Sequence, residues 1–113
     1  MDFERLEVWQ RAKRLAVEVY RAMEGCRDLG FKDQITRSAL SIPSNIAEGM
    51  ERESDREKCR FLWIAKGSCG ELRTQAMIGI EIGYVAEPLA TGWIKEAREL
   101  SRMLHGLISK ISD

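Results

Sequence analysis

The sequence predicts an all-α protein, an up-and-down antiparallel four-helix bundle whose single domain spans residues 1–113. Three observations predict it. Apolar residues recur at three- and four-residue steps almost everywhere, the period of an amphipathic helix. No stretch of useful length alternates apolar and polar residues as a half-buried strand does. Only two prolines, Pro43 and Pro88, occur in 113 residues, so long helices are available. A chain of this size buries about two-thirds of the surface its unfolded form exposes, enough for one core without staples.

In the first segment Val8, Ala12, Leu15, Val19 and Ala22 step by four and three, with Leu6, Trp9, Ala16, Tyr20 and Met23 widening the stripe. The spacing predicts a helix from about Glu4 to Met23, with Gly25 as its stop and a loop through Gly30. Ile35, Ala39, Ile42 and Ile46 carry a second helix from about Lys32 to Glu48, which Gly49 ends. Pro43 lies inside it and removes one backbone donor. The expectation is one helix kinked near Pro43, with a split near Ser41–Ile42 as the alternative.

Ser54 followed by Glu57 is a capping box and opens the third helix. Its stripe is Leu62, Ala65, Cys69, Leu72, Ala76, Gly79 and Gly83. Gly67, Gly70, Gly79 and Gly83 each cost about 1 kcal/mol against alanine in a helix interior. Close approach of a neighbouring helix is the expected reason for them. Trp93, Ala97, Leu100, Leu104, Leu107 and Ile111 define the fourth helix, from Pro88 in its first turn to about Ile111. Short connections between four such helices imply antiparallel neighbours.

Charge narrows the function. The 18 basic and 18 acidic residues cancel, whereas proteins held to nucleic acid by counterion release carry a basic surplus. A nucleic-acid role would therefore rest on a local patch. Arg11, Arg14 and Arg21 line one side of the first helix, and Lys95, Arg98 and Arg102 one side of the fourth. Both stripes are interleaved with acids such as Glu18 and Glu99, the pattern of a solvated mixed-charge face. There is no apolar run of membrane-spanning length and no apolar export signal near the start. Three widely spaced cysteines, an odd number, fit reduced thiols better than a disulfide framework. Together these point to a cytoplasmic protein that does not enter membranes.

The case for catalysis is thin, and no catalytic, cofactor-binding or metal residue is assigned. His105 is the single histidine, so the paired Glu-x-x-His elements of di-iron bundles are missing. Cys26, Cys59 and Cys69 lack zinc-ligand spacing; Cys59 and Cys69 read as small core residues of the third helix. A serine or cysteine nucleophile needs a base beside it, and no motif accompanies His105, which reads as a partly exposed helix residue. Gly67-Ser68-Cys69-Gly70 lacks Walker spacing and falls mid-helix; it reads as a packing surface.

The most unusual stretch is Gln34–Gly49. Opposite its apolar face, Arg37, Ser41, Ser44 and Glu48 form a low-bulk polar strip with Asn45 alongside. Such a strip is either a solvent face, or polar network around Pro43, or else a subunit or ligand contact. Trp63 sits off the seam of the third helix between Leu62 and Ile64. That cluster is wider than a four-helix core requires and hints at burial against another subunit. Arg37, Ser41, Asn45, Glu48 and Trp63 are the candidate contact residues.

Phe3-Glu-Arg-Leu6, Val8-Trp9-Gln10, Gln34 to Arg37, Ser41-Ile42 and Asn45-Ile-Ala-Glu-Gly49 stand in the first half of the chain. Phe61-Leu62, Ile64-Ala65, Gly67-Ser68 and Glu71-Leu72 follow in the third helix. On these the chain resembles the four-helix-bundle family named for the 23S rRNA intervening-sequence protein, over nearly its whole length. The resemblance implies a left-handed bundle that forms a ring-shaped homopentamer, with no assigned activity and no catalytic residues to carry over. A related branch, the accessory variability proteins of diversity-generating retroelements, is a pentameric barrel that binds a reverse transcriptase and nucleic acid. That branch is strongly basic, and this chain is neutral. The expected function is a homo-oligomeric scaffold or adaptor with itself and a protein or RNA as partners. An RNA- or DNA-binding accessory subunit is the alternative.

Overall fold

A computed structural model describes residues 2–113. The Asp2 carboxylate accepts the Glu4 N–H at 3.1 Å and caps a 3₁₀ turn over Phe3–Arg5. Leu6 then turns extended and α1 runs over Glu7–Ala22. Helix α1 thus starts later than its apolar stripe suggests. Phe3 and Trp9 pack edge to face at 5.2 Å, which folds the turn back onto the helix.

Helix α2 spans Leu29–Met50, longer at both ends than the periodicity predicts. Its start is set by Asp28, whose carboxylate accepts the Phe31 N–H at 3.0 Å and satisfies an otherwise free donor. The helix continues through Pro43 as one element. The split near Ser41–Ile42 does not occur, because Ile35, Ala39, Ile42 and Ile46 hold both halves in one core. Gly49 is not the stop. It lies buried inside the last turn, where an added Cβ would come within 3.0 Å of the Lys58 carbonyl and of Phe61 Cβ. Its missing side chain lets α3 approach.

Helix α3 covers Asp55–Glu81 and α4 covers Glu87–Ser112. Ser54 Oγ accepts the Glu57 N–H at 3.1 Å. The reciprocal half of the box is absent, because the Glu57 carboxylate takes the Arg60 guanidinium at 3.0 Å instead. The four glycines of this segment have separate reasons. Gly79 meets Val85 and Phe31, at 3.0 and 3.2 Å from an added Cβ, so close packing holds there. Gly83 lies past the helix with φ of 76°, and the N–H groups of Tyr84 and Val85 return to the Gly79 carbonyl. It serves a left-handed helix end that only glycine adopts freely. Nothing lies within 4 Å of a Cβ at Gly67, and Gly70 meets only Arg73. Neither is explained by packing within the chain.

Helix α1 packs on α2 and α4, and α3 packs on the same two, so that the neighbours in space are the four sides of a square. The bundle measures 43 × 20 × 20 Å. The contacts of α3 with both neighbours are extensive, whereas α1 and α4 barely meet. The core is largely the set that the helical period picks out, with Trp93, Leu100, Leu104, Leu62, Leu72 and Ile42 among its largest members; Ile94 and Ile108 join it, whereas Ala22 and Tyr20 of the expected α1 stripe are exposed. Among the described residues no helix is long and apolar enough to cross a membrane.

Candidate interaction surfaces

The polar strip of α2 divides in two. Ser41 Oγ lies 2.7 Å from Ser68 Oγ of α3. Asn45 Nδ2 donates to the Ser41 carbonyl and hydroxyl, both at 2.9 Å. These three side chains close a polar knot on the α2–α3 seam, where Ser68 is buried. Arg37 and Glu48 stay outside it. Arg37 pairs with Asp33 and Glu48 with Arg52, each at 3.0 Å and each exposed. The signal for Ser68 was its place between the core positions Ala65 and Leu72, where a serine needs a partner. Its bond to Ser41 sets an antiparallel register that puts Asn45 level with Ile64.

Beside this seam three exposed isoleucines stand along one line of α3 and its C-cap. Ile64, Ile78 and Ile82 are 42, 46 and 49% exposed. Helical spacing puts Gly67 and Glu71 in the same line. Trp63, 51% exposed, lies on the opposite flank. Its ring meets His105 of α4 edge-on at 6.2 Å, with Lys66 over it at 5.7 Å. The structure therefore separates Trp63 from the Arg37–Glu48 strip instead of joining them in one patch.

A second surface is the groove between α1 and α2, about 520 Å³ in volume. Val17, Tyr20, Leu40 and Pro43 form its floor and Lys13, Arg21 and Lys32 its rim, with Glu24 as the one acid. Although Arg21 shares a helical stripe with Arg11 and Arg14, the turn of α1 places it here instead.

The third surface is the loosely packed α1–α4 cleft. Arg11 donates to both Glu96 oxygens, at 2.9 and 2.6 Å. This fork-to-fork pair ties the helices together. Lys95, Arg98 and Arg102 line the same cleft, and Arg14 extends it. Glu18 and Glu99 share its walls, Glu99 lying 3.3 Å from Arg102. Along a single helix, Asp33 pairs with Arg37. Glu7 reaches Arg11 only at 3.7 Å, because Glu96 holds the guanidinium better. The two basic stripes converge, with Arg11 already engaged.

The Arg11 hydrogen bonds hold the Glu96 carboxyl below its ordinary value of 4.5 and make the guanidinium harder to deprotonate. A carboxyl depressed in the folded state contributes stability that is complete above its unfolded pKa and lost as pH falls through the folded one. Thermal unfolding from pH 6 to pH 3 is expected to show this loss below about pH 4.5, and Glu96→Gln to flatten that part of the profile. An unchanged slope would show that the pair carries no linkage.

The family model of the 23S rRNA-intervening sequence protein matches residues 4–106. The chain belongs to this family. A crystal structure of a protein of unknown function from the S23 ribosomal protein family of Bacteroides thetaiotaomicron superposes with a TM-score of 0.83 at 22% identity. The match covers 89% of this chain and 97% of that one, which establishes a shared fold. No curated protein matches the chain.

In this 23S rRNA-intervening sequence family member the reactive side chains are dispersed. Burial pushes the Cys69 thiol up to about 12, so it stays protonated and inert. Cys59 is half-buried, with its sulfur 3.9 Å from the Ile108 carbonyl. His105 faces Trp63 at the surface. Among the described residues no three His, Cys, Asp or Glu side chains gather in a metal-binding arrangement.

Proposed function

We propose that this chain is a non-enzymatic scaffold subunit that assembles with copies of itself, five being the number the family resemblance implies. The observation that carries this is the uncovered apolar line Ile64–Ile78–Ile82 on α3. Gly67 stands open in the same line. Exposed apolar side chains aligned on one helix face mark an association site, and a helix interior glycine with no contact in its own chain is what a close-packed subunit contact uses. The flat α2 strip beside it supplies polar rim contacts through Arg37 and Glu48, and Trp63 provides an anchor on the other flank of α3. Native mass spectrometry tests this. The wild type is expected at a multiple of 12.9 kDa, and Arg37→Glu combined with Trp63→Ala at a lower mass. An unchanged mass removes those two residues from the contact, and a wild-type monomer removes the reading.

A second reading has its own observation: Lys95, Arg98 and Arg102 line one stretch of the α1–α4 cleft and Arg14 the adjoining one. On this reading the cleft holds the phosphate backbone of RNA. Retention of RNA that falls steeply between low and moderate salt, and that Arg98→Glu with Arg102→Glu abolishes, is the expected result. Absence of binding even at low salt rejects it.

A further inference from the structure

We infer that the α1–α2 groove of one copy receives the α3 line of the next, so that the subunits associate head to tail. The inference rests on the self-assembly reading and adds the partner surface. The two surfaces differ in shape: the α3 line is a ridge of isoleucines, and the α1–α2 surface is a groove of about 520 Å³ floored by Val17, Tyr20 and Leu40. Val17 and Leu40 are 41 and 48% exposed, so this floor is as uncovered as the ridge. Their charges are complementary. Glu71 lies in the ridge and Arg21 on the groove rim, and neither has an ion-pair partner among the described residues. A ridge with an acid and a groove with a basic rim fit each other better than either fits its own copy across a twofold axis.

The placement of the surfaces agrees. The bundle is square in section, 20 × 20 Å. Its α2–α3 and α1–α2 sides meet at α2, with outward directions about 90° apart. A ring of parallel subunits joined head to tail needs its two contact directions about 90° apart for four copies and about 108° for five. Adjacent sides of one bundle therefore close a small ring, where opposite sides would build an open filament.

Two variants and their mixture test this. Ile78→Asp blocks the ridge and Leu40→Asp blocks the groove; both side chains are nearly half exposed, so the fold is retained, as circular dichroism would check. Each variant alone is expected to run as a monomer. The equimolar mixture, raised in steps to the solubility limit, is expected to form a dimer and nothing larger, since one intact ridge and one intact groove remain. If Leu40→Asp assembles like the wild type, the groove is not the acceptor, and the α3 reading stands without it. If both variants are monomeric and the mixture stays so, the ridge and the groove do not pair with each other and the inference is overturned. A wild-type monomer, or Ile78→Asp at wild-type mass, overturns it together with the reading beneath it.

Discussion

Replacing Trp93 by alanine is expected to cost ~3–5 kcal/mol and to lower the melting temperature on the order of 10–20 °C. Trp93 is 2% exposed and is the largest of the buried side chains, in the turn of α4 that faces α1 and the loose α1–α4 cleft. The cleft has little other packing to redistribute, so the cavity would not close by local collapse. Against a total stability of ~5–15 kcal/mol for a domain, the loss is severe. Trp93→Phe is expected to cost less than half as much. It keeps most of the volume and deletes a buried indole N–H that has no protein acceptor, a group whose burial unpaired costs ~1–3 kcal/mol. Urea unfolding followed at fixed protomer concentration measures both, because assembly would otherwise shift the midpoint. Equal losses in the two variants would show that ring shape, and not filled volume, is what Trp93 supplies.

Gly49→Val is the second large loss, expected at about 2 kcal/mol net. A Cβ there would sit 3.0 Å from a backbone oxygen of α3 and from Phe61 Cβ, the rigid root of that side chain. Neither neighbour can swing away. The α2–α3 turn is also tied by Lys58, whose ammonium donates to the Met50 and Arg52 carbonyls, so the start of α3 resists displacement. Valine adds two methyls to the clash. Its helix propensity returns only a few tenths of a kcal/mol over glycine. Gly106→Ala makes the control: nothing lies within 4 Å of its Cβ in the middle of α4, so a gain of about 1 kcal/mol is expected. Thermal unfolding of the pair should move in opposite directions. A stabilised Gly49→Val would mean that α3 relaxes outward at no penalty, contrary to the close approach described.

The amino-acid sequence by itself determined the helices and the core. Amphipathic period is a local property, and Ile35, Ile42, Leu62, Leu72, Leu100 and Leu104 are buried because each lies on its helix's apolar stripe. Ser54 and Pro88 marked their helix starts for the same reason: a cap acts within three residues. Asp28 is equally local, a capping residue three before Phe31, but the glycine at position 30 made the stretch read as loop and put the helix start at Lys32. Tertiary structure decided the rest. Arg11 and Glu96 are 85 positions apart, and Ser41 finds Ser68 only once α2 and α3 are neighbours in one register. Gly49, Gly79 and Gly83 look alike in sequence, yet one admits a helix, one a loop and one a left-handed turn. Periodicity assigned a residue to the inside or outside of its own helix. Which outside meets a neighbour, and which is left to solvent or to another copy, depends on the placement of the other three helices. For that reason the sequence pooled Trp63 with Arg37 and Arg21 with Arg11, and the folded bundle parted them.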